Sequence, residues 1–160
     1  MWKRILIISV CVVVIVGIGV YFLLEGLLTE RRAIEAESQS YIVQKTTITQ
    51  IDYIDEYRGK EVYKVVIGKD DKGTSLISWF NDKKTVTEEL QNGIPHEEIN
   101  QKALKEYPGA VVKRIVPGLE GEQKLWEVTL LDKDKRYNYV YYDFTTGTLL
   151  RAYTLNIPKT

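Results

Sequence analysis

The sequence is poor in the residues that most often carry out chemistry. Its 160 residues include one cysteine and one histidine. A single cysteine excludes an internal disulfide scaffold, and a single histidine excludes most catalytic sets that are built on histidine. The 22 Lys and Arg residues balance the 22 Asp and Glu residues, so the formal net charge is zero. No overall charge draws the chain to nucleic acid, and no pattern indicates a cofactor, a metal or a small-molecule substrate.

The polar average conceals one long apolar run, over residues 5–24, in which Ser9 is the only conventionally polar side chain. Twenty helical residues span about 30 Å, which is the thickness of the hydrocarbon core of a bilayer. The run therefore predicts a transmembrane helix that binds the chain to the lipid bilayer. The residues predicted to lie at the membrane interface are Trp2, Lys3, Arg4, Tyr21 and Phe22.

A buried core helix and a cleaved signal peptide are the alternatives for this run. A core helix of this length is unusual, and signal-peptide apolar regions are shorter, about 7–15 residues, and end at a pair of small residues. Residues 26–35 contain no such pair at the right distance. We therefore predict an uncleaved signal anchor.

The positive charges beside the run give its orientation. Lys3 and Arg4 favour a cytoplasmic N-terminus, although Arg31 and Arg32 lie close to the other end. The tail of residues 1–4 is too short to carry a function of its own. The prediction is a single-pass cell membrane protein whose residues 25–160 lie outside the cell.

Hydrophobic periodicity predicts two helices and eight strands beyond the anchor. The helices are Thr29–Gln44 and His96–Tyr107; Pro95 suits the start of the second helix, and Pro108 and Gly109 end it. The strands are Thr46–Ile54, Glu61–Ile67, Thr74–Phe80, Thr85–Leu90, Ala110–Val116, Leu125–Leu131, Tyr137–Phe144 and Thr148–Leu155.

An internal repeat organises these elements. Residues 48–90 align with a later copy at a constant offset of 63 positions, so that Tyr63 falls on Trp126 and the period-two alternation stays in phase. One loop disagrees, because Gly59 falls one position away from Gly121. Chance alternation in an ordinary β-protein is the alternative.

The repeat predicts an α+β fold of two tandem units, each a helix packed on an antiparallel sheet of three or four strands. The predicted organisation is a cytoplasmic tail (1–4), a transmembrane signal anchor (5–24), a first domain (25–92) and a second domain (93–160). Trp79 and Trp126 are the expected core anchors of the two domains, and each indole N–H needs a partner.

Several short segments imitate catalytic or ligand sites without completing them. Residues 68–75 have the glycine spacing of a P-loop, but they lack its lysine and lead into a strand. Asp132 opens a segment like a calcium loop that lacks the required glycine and glutamate. His96 has no second ligand or nucleophile beside it. We assign no catalytic residue and predict that the protein is not an enzyme. A glycosidase-like pair of acids, of which no particular pair is indicated, is the alternative.

The strongest indication of recognition is a row of tyrosines. If Val140 and Tyr142 face the core, then Tyr137, Tyr139 and Tyr141 lie together on the opposite face. Tyrosine gives a large and stiff contact area and is enriched in interfaces. The three tyrosines are the candidate residues for binding a partner; packing on the other repeat is the alternative.

The anchor, the two helix-plus-sheet repeats and the segment Tyr139–Leu149, in which Asp143 and Gly147 follow a hydrophobic strand, resemble the PepSY-like superfamily. More specifically, the chain resembles the cell wall elongation regulator family of TseB/YpmB type. This resemblance implies an extracytoplasmic regulator that contacts a penicillin-binding protein, with no catalytic residues. A PepSY-type inhibitor or modulator of a secreted protease is the alternative, and an unrecognised hydrolase or carbohydrate-binding cleft is a third.

Overall fold

The computed structural model describes Ile18 and residues 40–155. The predicted tail 1–4, the rest of the predicted anchor 5–24, and the five predicted membrane-interface residues lie outside the described residues. In the part that is described, no helix combines the length and the apolar character that crossing a membrane requires. Of the predicted helix Thr29–Gln44, residues 40–44 are described, and they are helical.

The first sheet consists of four strands joined by short turns. They are β1 (Gln50–Arg58), β2 (Val62–Lys69), β3 (Ser75–Phe80) and β4 (Thr85–Glu89). Each strand pairs antiparallel with the next, so the order in the sheet is the order in the chain. A single 3-10 turn, Leu90–Asn92, leads out of the sheet.

The second sheet has the same organisation and follows a helix, α1 (His96–Glu106). Glu97 and Glu98 lie in the first turn of α1, where the positive end of the helix dipole favours them. The strands are β5 (Val111–Glu120), β6 (Gln123–Leu131), β7 (Tyr137–Asp143) and β8 (Leu149–Leu155), again antiparallel and in chain order. The two four-stranded antiparallel sheets and the helix confirm the predicted α+β fold for the described residues.

Three strands run further than their predicted ends, and one of them is β2, which continues from Ile67 to Lys69. β1 continues from Ile54 to Arg58, and β5 continues from Val116 to Glu120. Pro117 lies inside β5, opposite Trp126. Proline is tolerated there because β5 is an edge strand of its sheet, where a missing N–H need not break a ladder bond.

The strands β2 and β3 repeat in β6 and β7 at an offset of 62 positions, because the pair Val65 and Trp79 recurs as Glu127 and Tyr141, so the predicted offset of 63 is wrong for them. The equivalent loops show the difference directly. Asp70 Oδ1 accepts hydrogen bonds from the backbone N–H groups two and four positions further on, and Asp132 Oδ1 does the same. The loops that contain Gly59 and Gly121 still differ, because three residues separate the paired Arg58 and Val62 while two separate Glu120 and Gln123.

The difference of one residue between the two offsets exchanges the two faces of β6 and β7 relative to the prediction, because side chains alternate along a strand. At an offset of 62, Val65 matches Glu127 rather than Val128, and Trp79 matches Tyr141 rather than Tyr142. The face that the first sheet buries in the core therefore corresponds to the tyrosine-bearing face of the second sheet.

The repeated loop also yields a prediction. Lys135 matches Gly73, and both have a positive φ, of 60° and 83°. The left-handed conformation costs a side chain about 1–2 kcal/mol, while glycine adopts it freely. We expect Lys135→Gly to raise the free energy of unfolding by up to about 1 kcal/mol in urea denaturation, after the greater flexibility of an unfolded glycine is subtracted. The reciprocal change Gly73→Lys should lower it, and a loss of stability in Lys135→Gly would contradict the assignment.

One hydrophobic core spans both sheets. The Phe144 ring meets Trp79 of β3 edge-on, with the ring centroids 5.3 Å apart, and stacks on Trp126 of β6 at 5.6 Å. All three side chains belong to one buried cluster drawn from both sheets, and the described residues from Ile42 to Leu155 belong to one compact unit. The described parts of the two predicted domains therefore share a core, and the boundary between residues 92 and 93 stays a prediction.

The expected partners of the two tryptophan N–H groups are not found. Trp79 and Trp126 are almost fully buried, as predicted for core anchors. Neither indole Nε1 atom has a hydrogen-bond partner among the residues that the structure describes. Both rings make aromatic contacts with Phe144.

Candidate partner-binding surface

The side chains of β7 alternate between the core and the opposite face, as the sequence predicted. Val140 and Tyr142 are fully buried, and Asn138 is also buried. The half-buried residues Tyr137, Tyr139 and Tyr141 lie between them on the other face. The three tyrosines are therefore brought together on one face of the second sheet, away from α1.

Neighbouring strands enlarge this face. Tyr139 lies opposite Tyr153 of β8, and Tyr141 lies opposite Arg151. The rings of Tyr141 and Tyr153 meet edge-on with centroids 6.0 Å apart, and Cζ of Arg151 lies 4.1 Å from the centroid of the Tyr141 ring. We call Tyr137, Tyr139, Tyr141, Arg151 and Tyr153 the tyrosine face.

Charged groups lie at the inner end of the tyrosine face. Glu127 of β6, opposite Tyr141, is only 8% exposed. Burial raises the pKa of the Glu127 carboxyl. The hydrogen bond from Tyr141 and the positive charges of Arg114 and Arg151 lower this pKa but do not outweigh the effect of burial. Burial also raises the pKa of the Tyr141 hydroxyl, and the neighbouring Glu127 raises it further.

These charges are paired with one another rather than free for a ligand. Arg151 Nη2 donates a hydrogen bond to Glu120 Oε1 at 2.6 Å, and the Tyr57 hydroxyl donates to the same oxygen at 2.7 Å. Arg114 Nη2 donates to Asp55 Oδ1 at 2.7 Å, and Arg114 Nη1 lies 4.0 Å from Glu127 Oε1. Asp55 and Tyr57 belong to β1, so this network also joins the two sheets.

The corrected repeat explains why only one unit has a tyrosine face. Ile77 and Trp79 of β3 are the counterparts of Tyr139 and Tyr141, and both are fully buried in the shared core. The first sheet uses this face for folding. The second sheet leaves the same face open to solvent on its outer strands, where Tyr153 is 55% exposed.

Sequence reasoning missed Tyr153 and Arg151. Part of the signal was present, because the period-two alternation of β8 places Arg151 and Tyr153 on the same face of that strand. Which residues of β7 they lie beside depends on the register between the two strands. The sequence could not give that register, since β7 and β8 are shifted by a bulge between Tyr141 and Tyr142.

The other segments that resemble sites have different roles. The carboxylate of Asp132 is engaged by backbone N–H groups of its own loop and by the guanidinium of Arg136, 2.8 Å away. Asp70 likewise accepts bonds from its own turn. His96 is an exposed residue whose ring centroid lies 6.0 Å from that of Trp126. In the described part of the chain, the arrangement best suited to recognition is therefore the tyrosine face.

Comparison with known families agrees with this architecture. Residues 93–153, which contain α1 and most of the second sheet, match the PepSY family, described as "Peptidase propeptide and YPEB domain". Residues 40–81, which contain the first three strands, match the family described as "Cell wall elongation regulator TseB-like domain". The fold and these matches define a protein of the PepSY-like class.

Two relatives identify the particular family. The chain is 37% identical over 114 residues, 69% of this chain and 71% of that protein, to the "Probable cell wall elongation regulator TseB" of Bacillus subtilis (strain 168). It is also similar to the solved structure of the YpmB protein from Bacillus subtilis, with 35% identity and a TM-score of 0.62, covering 74% of this chain and 95% of that one. The chain belongs to the TseB family, which confirms the predicted resemblance.

Proposed function

We propose that this protein regulates cell wall elongation as a membrane-anchored, extracytoplasmic and non-enzymatic interaction protein that contacts a penicillin-binding protein. The relative named as a cell wall elongation regulator supports the process in which it acts. The observation that carries the mode of action is the tyrosine face, which is aromatic, partly exposed and has its charges paired internally.

The tyrosine face suits protein recognition for a physical reason. Each tyrosine presents a broad apolar ring with a hydroxyl at its edge and loses little entropy when a partner covers it. The rings of Tyr141 and Tyr153 hold each other, and Arg151 is fixed by Glu120. Such a preorganised surface pays less ordering cost on binding than a flexible one.

The predicted anchor over residues 5–24 supplies the second part of the proposal. Confinement to a membrane raises the effective concentration of this surface beside other membrane proteins, so a modest affinity is sufficient. A contact that favours one state of a penicillin-binding protein over another then shifts its activity without chemistry by this chain. Purified full-length protein is accordingly expected to leave muropeptides unchanged.

The proposal is tested by crosslinking in intact membranes. A photo-crosslinking residue placed at Tyr139 or Tyr153 should capture a penicillin-binding protein, identified by mass spectrometry. The same probe at Glu97, which is exposed on α1, should not capture it. Absence of a penicillin-binding protein from the products at Tyr139 and Tyr153, or equal capture from Glu97, would contradict the proposal.

A point-mutation series measures the same contact. The double variant Tyr139→Ser and Tyr153→Ser should reduce capture by a probe at Leu155, which is exposed beside Tyr137, at least tenfold. The reason is that central aromatic anchors contribute about 2 kcal/mol or more each to an interface. Leu104→Ser, at a partly exposed position on α1, is the control for a general surface change. Circular dichroism of the full-length variants should stay unchanged.

One observation favours a second function. The family matched by residues 93–153 carries the description of a peptidase propeptide, which is consistent with binding to a secreted protease. The crosslinking experiment separates the two proposals, because protease captured from Tyr139 or Tyr153 without any penicillin-binding protein supports this second one.

A further inference from the structure

The strand β8 is the outer strand of the second sheet, and both of its faces reach solvent. Six of its seven residues are exposed, and its large apolar side chains include Leu149, Leu150, Tyr153 and Leu155, which are 39–56% exposed. Among the described residues, β8 pairs with β7 on one side and with no strand on the other. A long apolar edge of this kind is a template for pairing with another strand.

The other edges of the two sheets are protected. The edge strand β4 has only five residues and carries the exposed carboxylate of Glu89 beside Glu88, which binds Lys124. The edge strands β1 and β5 are joined through Arg114, which bonds to Asp55 and to the backbone carbonyl of Glu56. Charges and cover are the usual means of blocking edge pairing. Within residues 40–155, β8 is the edge strand that has neither an unpaired charge nor a covering contact. Its single charged residue, Arg151, binds Glu120.

The hydrogen-bonding groups of β8 point toward a further strand. Both backbone groups of Asp143 point toward the β8 side of β7. Its N–H donates to the Thr148 carbonyl, and its carbonyl accepts a hydrogen bond from the Gly147 N–H, both in the turn before β8. Backbone groups alternate along an antiparallel strand, so Tyr139 also bonds toward its partner Tyr153. The N–H and C=O groups of Ala152, one position away, therefore face outward from the sheet.

The sequence of β8 is complementary to itself. When two copies pair antiparallel about a two-fold axis at Ala152, Leu149 lies opposite Leu155 of the second copy and Leu150 lies opposite Thr154. Arg151 then lies opposite Tyr153, so the one charged side chain meets an aromatic ring and not its own symmetry mate. No like charges face each other, and the strand contains no proline or glycine that would interrupt pairing.

We propose that β8 is a homodimer interface, through which two copies of this chain join their second sheets into one continuous eight-stranded sheet. An isologous contact of this kind needs only one self-complementary surface and closes without forming a fibre. Tyr153 lies on the same face as Tyr139, so the dimer unites two tyrosine faces into a single aromatic surface. The second copy thereby completes the candidate binding surface.

A charge-swap experiment tests the symmetry directly. Residue 152 would lie opposite itself, so Ala152→Lys or Ala152→Glu places two like charges together and should raise the dimer dissociation constant of the full-length chain in detergent at least tenfold. An equimolar mixture of the two variants places Lys opposite Glu and should restore the dimer. Mass photometry and sedimentation equilibrium measure both results.

The matched control is Thr85→Lys. It adds the same charge at an exposed position of β4, an edge strand of the first sheet, and should leave the dimer unchanged. Ala152 is itself exposed, so its variants should keep the circular dichroism of the parent. A parent chain that stays monomeric at all concentrations would overturn the proposal. So would a dimer that is insensitive to Ala152→Lys, or one that the mixture fails to restore.

Discussion

Replacing Phe144 with alanine is expected to lower the free energy of unfolding by about 4 kcal/mol, since truncating a fully buried phenylalanine removes apolar burial and leaves a cavity. Phe144 contacts both Trp79 and Trp126, and its ring also fills the space beside Gly93. Alanine at this position would leave both tryptophan rings without their common neighbour. Urea denaturation of the parent and the variant measures the loss.

The same experiment examines whether the core is shared. Because Phe144 joins the two sheets, tryptophan fluorescence and far-ultraviolet circular dichroism should report one transition with the same midpoint. Val62→Ala, which shortens a side chain that is 51% exposed, is the control and should cost less than about 1 kcal/mol. Two separate transitions in the parent, or a loss below 1 kcal/mol in Phe144→Ala, would contradict a single core.

Removing the Arg114 side chain has the second-largest expected effect. Arg114→Ala eliminates the charge-assisted bond to Asp55 and the bond to the Glu56 carbonyl, and it leaves Glu127 without its nearest cation. Hydrogen bonds to charged groups contribute about 1.5–3 kcal/mol, and the partial exposure of both partners places this pair near 2 kcal/mol. Arg114→Lys keeps the charge but loses the two-sided geometry, so it should recover only part of the loss.

The loss caused by Arg114→Ala should depend on pH. Burial acts to raise the pKa of the Asp55 carboxyl, but hydrogen bonds from Arg114, Tyr53 and the Glu56 N–H outweigh it and hold the pKa below its usual value of 3.8. A carboxyl whose pKa is lowered by folding stabilises the protein above its unfolded pKa and stops doing so as the pH falls through the folded pKa. The stability difference between parent and variant should therefore be full at pH 7 and shrink below about pH 4. A difference that grows on acidification would exclude the assigned ion pair.

The local elements of this fold could be predicted from the sequence because each has a local cause. Alternation with period two defined the strands, and Pro95 together with Pro108 and Gly109 bounded the helix that the structure places at His96–Glu106. The repeat was also visible, but its offset was not. When both faces of a strand are buried and apolar, as at Val65 and Val66, alternation does not show which face of one copy corresponds to which face of the other. The pairing of Val65 with Trp79 and of Glu127 with Tyr141 distinguishes the two offsets, and it depends on the folded sheets.

The candidate site was predictable only in part, for a related reason. Tyr137, Tyr139 and Tyr141 lie on one strand, so their shared face follows from spacing within that strand. Tyr153 and Arg151 join them through the pairing of β8 with β7, which a bulge shifts and which no local pattern reports. The contacts of Arg114 with Asp55 join residues 59 positions apart on different sheets, and these depend on how the two sheets pack.

The difference between the two sheets determines how many tyrosine faces each chain presents. Duplicated domains often provide two equivalent sites, and two linked sites gain avidity from each other. In this chain, the equivalent face of the first sheet carries Ile77 and Trp79, and both are buried in the shared core. A partner that binds the proposed tyrosine face should therefore find one such face per chain, despite the two-fold repeat.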